Sequence, residues 1–85
     1  MSTHEKLRAR FRKKPKDFTF KELKTLLAGL GYAEEQGGLS SGSRITFFNC
    51  QLNHVIKLHK PHPDNVLKQY QIKQIIEKLN SQNLL

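Results

Sequence analysis

RITFFNCQLNHVIKLHK, residues 44–60, is the stretch on which the fold turns. Its first six residues alternate, with Ile45 and Phe47 pointing one way and Arg44, Thr46 and Phe48 the other. A turn through Gln51, Leu52 and Asn53 follows. HVIKLHK then alternates again: Ile56 and Leu58 share one face, while Val55, Lys57 and His59 share the opposite one. Two such runs joined by a short polar turn read as antiparallel strands with one face turned to a core. If Ile45, Phe47, Ile56 and Leu58 are buried, Arg44, Thr46, Lys57 and His59 stand on the exposed face beside Phe48 and Val55.

The flanking sequence supplies the layer that would cover the apolar face. Thr19 and Glu22 have the spacing of a capping box, and Phe18 and Leu23 that of a hydrophobic staple. Leu23, Leu26, Leu27 and Leu30 recur on one helical face, and Gly31 offers a left-handed stop. The spacing predicts a helix over residues 20–30 and a short strand over 32–36, followed by the loop GGLSSGS. After residue 60, PHPDN reads as a turn, with Asp64 or Asn65 as the cap of a last helix. That helix is expected from Val66 to about Asn80, with Leu67, Ile72, Ile75, Ile76 and Leu79 as its buried stripe. At the other end, STHEKLRARFR has a Ser2–Glu5 capping pattern and an apolar edge of Leu7 and Phe11, and Pro15 ends it. The expected order is α-α-β-β-β-α, an α+β fold with a three-stranded meander covered on one face by helices. One domain spans residues 1–85: a basic N-terminal arm or short helix over 1–16, and a core over 17–80.

Fifteen Lys and Arg oppose seven Asp and Glu, a formal charge of +8 on 85 residues. Such an excess on so small a domain favours a polyanionic partner, either nucleic acid or an acidic protein, over a merely solubilising surface. Residues 1–16 alone hold seven Lys or Arg against Glu5. No apolar run has the length of a membrane span or the look of a secretory signal, so the cytosol is the expected location. Cys50 is the single cysteine, which excludes an internal disulfide.

Arginine grips a phosphate through a planar fork, lysine adds a point charge, and histidine exchanges protons near neutrality. Arg44, Thr46, Lys57 and His59 on one open face therefore read as a phosphodiester site, although each residue type is also ordinary on a solvated strand. His54, His59 and His62 raise the question of a metal, but Pro61 and Pro63 stiffen the segment and no acidic cluster lies nearby apart from Asp64, so no metal or cofactor is expected. Nothing resembles a P-loop, a dinucleotide fingerprint, paired catalytic carboxylates or a Ser/His/Asp set.

KELKTLLAGLGY, then GSRITF after the loop, then VIKLHKPHP and a closing helix resemble, in order and spacing, the HicA toxin family. The resemblance covers residues 18–80. It implies a fold like a double-stranded-RNA-binding domain. It also implies a small bacterial toxin of a type II toxin–antitoxin module: a metal-independent endoribonuclease that cleaves mRNA and is blocked by a HicB-type antitoxin. The family's strand-opening motif is Gly-Ser-His followed by an aromatic. Gly42, Ser43 and Phe47 match it, while Arg44 stands where the family has its catalytic histidine. His59 matches a histidine at the end of the third strand, and the family's Gly-Thr near the last helix is replaced by LKQYQ. On this reading Arg44 and His59 are the catalytic candidates. Ser43, Thr46, Lys57 and Lys60 are RNA contacts, joined by Arg12, Lys13 and Lys14 from a basic segment that also includes Arg8 and Arg10. Arginine stays protonated, so it holds a phosphate but cannot shuttle a proton. An RNA-binding or antitoxin-binding module without catalysis is the alternative.

Overall fold

The computed structural model describes residues 3–35, 44–61 and 65–85. Ser2, Gln36, the GGLSSGS loop with Gly42 and Ser43, His62 and Asp64 lie outside the described residues, and with them the Ser2–Glu5 capping pattern. The elements run α1 (Thr3–Arg12), α2 (Phe20–Gly29), β1 (Ala33–Glu35), β2 (Arg44–Asn49), β3 (His54–His59) and α3 (Gln69–Ser81). The three strands form one antiparallel sheet in the order β1-β2-β3, the α+β meander expected from the alternation. No helix among the described residues is long and apolar enough to cross a membrane.

α2 begins where its cap dictates. Glu22 N–H donates to Thr19 Oγ1 at 3.1 Å, and Thr19 N–H donates to Glu22 Oε1 at 3.0 Å, which satisfies two donors that the first turn cannot pair internally. Leu23, Leu26 and Leu27 are fully buried. The helix ends at Gly29 with Leu30 as its C-cap, and Gly31 follows with a φ of +99° that suits glycine. The apolar face of the sheet, Phe47 with Ile56 and Leu58, packs into the same core as Leu67, Ile72, Ile75 and Leu79. Truncating Phe47, 2% exposed, would cost about 3–5 kcal/mol.

Two sequence expectations change. The last helix starts at Gln69 instead of Val66, with Lys68 as its N-cap, so Asn65 is not the cap. The reason is a non-local clamp. Thr19 and Val66 form an isolated antiparallel bridge, Phe20 N–H donates to Asn65 O at 2.6 Å, and Leu67 N–H donates to Phe18 O at 2.8 Å. This pairing holds residues 65–67 extended and sets the entries of α2 and α3 side by side. Residues 3–12 form the first helix of the expected order, and it is docked on the core. Phe11 is fully buried, its ring 4.8 Å from that of Phe18, and the His4 ring lies so close over Gly29 that any side chain there would collide with it.

Second, two of the basic residues of that segment are engaged within the fold. Arg8 Nη2 donates to Leu84 O at 3.0 Å. Arg10 pairs with Glu22 and, at 2.8 Å, with Asp17, while its guanidinium stacks 5.2 Å from the Phe18 ring centroid. Burial pushes the Glu22 carboxyl up, but the Thr19 N–H, Arg10 and the Thr19 hydroxyl together hold it below its ordinary value.

Candidate functional site

Register decides what the open face presents. Arg44 is directly opposite His59, Thr46 opposite Lys57, and Phe48 opposite Val55. Directly opposed residues of an antiparallel pair have Cβ atoms about 4.5–5.5 Å apart. The guanidinium and the imidazole therefore leave adjacent strands on the same side. Arg44, Lys57 and His59 are exposed, and Thr46 and Phe48 are half-buried. Arg44, Lys57, Leu58 and His59 line one depression. The face grades from cationic at the Arg44–His59 end to apolar at Phe48 and Val55.

β1 adds a group that sequence reasoning missed. Glu34 pairs with Phe47 in register and extends its carboxylate to Lys24 of α2 at 3.0 Å, so it belongs to the helical side. Its neighbour Glu35 then faces the other way, opposite Thr46, in one row with Thr46 and Lys57. It is a diagonal neighbour of Arg44, about 7–8 Å away between adjacent strands. Among the described residues Glu35 is the single carboxylate on that face. A three-residue strand beside a Gly/Ser loop carries too little pattern to reveal which way each glutamate points.

The backbone beneath His59 is held from α3. Gln71, 5% exposed, donates from Nε2 to His59 O at 2.9 Å and accepts the Lys68 N–H on Oε1 at 3.1 Å. A buried amide with both ends satisfied fixes the strand end and the helix start as one unit. The histidine ring itself remains on the open side.

Other predicted contacts go elsewhere. Lys60 lines a separate hollow beside α2 with Phe20, Lys21, Lys24, Thr25 and Asn65. Arg12, Lys13 and Lys14 are exposed at the end of α1, whose neighbours are α2 and α3. Gln69 Nε2 ties this segment to α3 through Pro15 O at 2.9 Å. These three cations stand on the helical side and do not join Arg44 and His59. Ser43 lies outside the described residues. His54, at the other end of β3, is bonded to Tyr32, and no cluster of three metal-ligating side chains occurs among the described residues.

The chain matches no protein-family model, no curated protein and no solved structure. The functional reading rests on the chemistry of this face and on the motifs of the sequence.

Proposed function

We propose that this protein is a HicA-like toxin that binds RNA and cleaves mRNA without a metal, and that a HicB-type antitoxin neutralises it in the cytoplasm. The observation that carries the reading is the cross-strand pair of Arg44 and His59, both exposed, on a cationic sheet face. Its resemblance-based part, the double-stranded-RNA-binding-domain likeness and the toxin family, rests on the motif order in residues 18–80.

The chemistry follows from the groups present. RNA carries its own nucleophile, the 2′-hydroxyl, so cleavage needs a base, an acid and charge stabilisation at phosphorus. Arg44 cannot act as the base because it keeps its proton. Glu35 takes the 2′-hydroxyl proton, and the 2′-oxygen bonds to phosphorus. Arg44 and Lys57 balance the charge growing on the non-bridging oxygens. Protonated His59 gives its proton to the departing 5′-oxygen as the P–O5′ bond breaks. The products are a 2′,3′-cyclic phosphate and a 5′-hydroxyl. The carboxylate's position also has a rationale here, since a negative charge on a phosphate-binding face weakens binding and is useful only if it moves a proton.

The replacement of the family's histidine by Arg44 favours one other reading, a binding module that has lost cleavage. A metal-free reaction on mRNA in excess chelator separates the two. The toxin reading expects cleaved RNA from the wild type, loss of at least about a hundredfold in His59→Ala and Arg44→Ala, and growth arrest on expression that both variants relieve. Salt-sensitive binding with intact RNA would establish the module, and full activity in both variants would refute the site.

A further inference from the structure

The open face has an extension that phosphate chemistry does not use. Lys57, Leu58 and His59 form one wall of a second groove, whose other wall is α3: Tyr70, Gln71, Gln74, Ile75 and Lys78. Tyr70, Gln74 and Lys78 follow each other at intervals of four and so make one ridge. Leu58 and Ile75, 8% and 2% exposed, are its apolar lining. Tyr70 is 57% exposed, the most exposed large apolar side chain of those described. Gln71 has both ends of its amide committed to His59 O and Lys68 N–H. Gln74, exposed on the ridge, carries the amide that can address a ligand, offering both a donor and an acceptor.

We propose that this groove receives an unstacked nucleobase of single-stranded RNA, next to the phosphate held at Arg44 and His59; the inference rests on the RNA reading given above. Three features select a base. An aromatic ring at the rim offers a stacking surface, an apolar lining takes a flat heterocycle, and a neighbouring amide can pair with a base edge. The groove shares Lys57, Leu58 and His59 with the phosphate depression, so a base and its own phosphate reach both at once. Lys57 and Lys78 bring positive charge to the groove, as a nucleotide chain requires. Bases in a duplex are stacked and paired, so the substrate class is a single-stranded segment.

The chain has no tryptophan, so Tyr70→Trp installs a lone fluorescent reporter on an exposed position. The probes are a short single-stranded RNA, an abasic oligonucleotide of equal length, the same RNA as a duplex, and a poly-glutamate peptide. The expected result is quenching of the introduced indole by the single-stranded RNA and by none of the other three. Tyr70→Ala should weaken binding of the single-stranded RNA by about 5- to 100-fold, leave abasic binding unchanged, and be largely rescued in Tyr70→Phe. If wild type and Tyr70→Ala bind the RNA equally, the base site is refuted and the RNA reading survives. Quenching by the peptide alone would make the groove a protein-docking slot and overturn the inference. If the wild type binds none of the nucleic acids at low salt, the RNA reading falls and this inference with it.

Discussion

β3 carries a histidine at each end, and the two have opposite surroundings. His54 faces the helical side, its Nδ1 bonded to Tyr32 Oη at 2.6 Å. Beside it, buried Asn49 donates to Leu30 O at 3.2 Å and accepts the Leu52 N–H at 3.1 Å. There the polar groups are consumed in closing the fold. At the other end Gln71 secures the His59 backbone, while the His59 ring and Arg44 side chain face outward. A polar group that the fold does not need, held at a fixed point by one that it does, is available for a ligand. The comparison teaches that the candidate site is the end of the ladder where side-chain polarity is left over.

The largest test changes chemistry without touching folding. Glu35→Gln keeps the shape of an exposed side chain, so unfolding should shift by less than about 0.5 kcal/mol. If Glu35 is the base, metal-free cleavage falls by about 10²–10⁴-fold while RNA binding holds or strengthens, because a negative charge has left the face. A gel assay beside an affinity measurement reads both. Unchanged cleavage would return Glu35 to ordinary surface.

Asn49→Leu probes the closed end. The substitution leaves the Leu30 carbonyl and the Leu52 N–H without their partner, which should cost about 1–3 kcal/mol in urea unfolding. Thr46→Val, half-buried at the open end, should stay within about 0.5 kcal/mol. Equal losses at both sites would erase the distinction between the two ends. Lys57→Ala acts at the open end alone. It should weaken RNA binding to every sequence by a similar factor and lower the slope of log affinity against log salt by about 1. A loss that depends on the sequence would mean that Lys57 reads bases.

How much of this could be read from the chain follows the range of each interaction. The alternation in residues 44–49 and 54–59 sorts Arg44, Thr46, Lys57 and His59 onto the open face, because a strand's period is local. The box of Thr19 and Glu22 is equally local and marks the start of α2. Register is not: alternation cannot say that Arg44 opposes His59, or that Glu35 falls in line with Lys57. The helical pattern extends back to Val66, yet α3 starts later because Val66 is recruited by Thr19, far away in sequence. Arg8 and Arg10 look like free charge beside Lys13 and Lys14, and only tertiary contacts with Leu84, Asp17 and Glu22 separate them.

The smallest effect sharpens the comparison at the closed end. Tyr32 is 3% exposed, and its hydroxyl meets His54. Tyr32→Phe removes that bond but leaves the ring, so the loss should lie near the low end of about 0.5–1.5 kcal/mol, His54 being half-buried and reachable by water. The pH dependence identifies the cause. Burial pushes the Tyr32 phenol above its ordinary value of 10.0. The folded chain then holds this proton more firmly than the unfolded chain. Its contribution is complete below pH 10.0 and fades as pH rises from there through the folded value. The stability difference between wild type and Tyr32→Phe should therefore be constant at neutral pH and shrink above 10.0. A difference that grows with alkali would mean that the phenolate is stabilised inside the fold, and the polar groups at this end would then not be fully used in closing it.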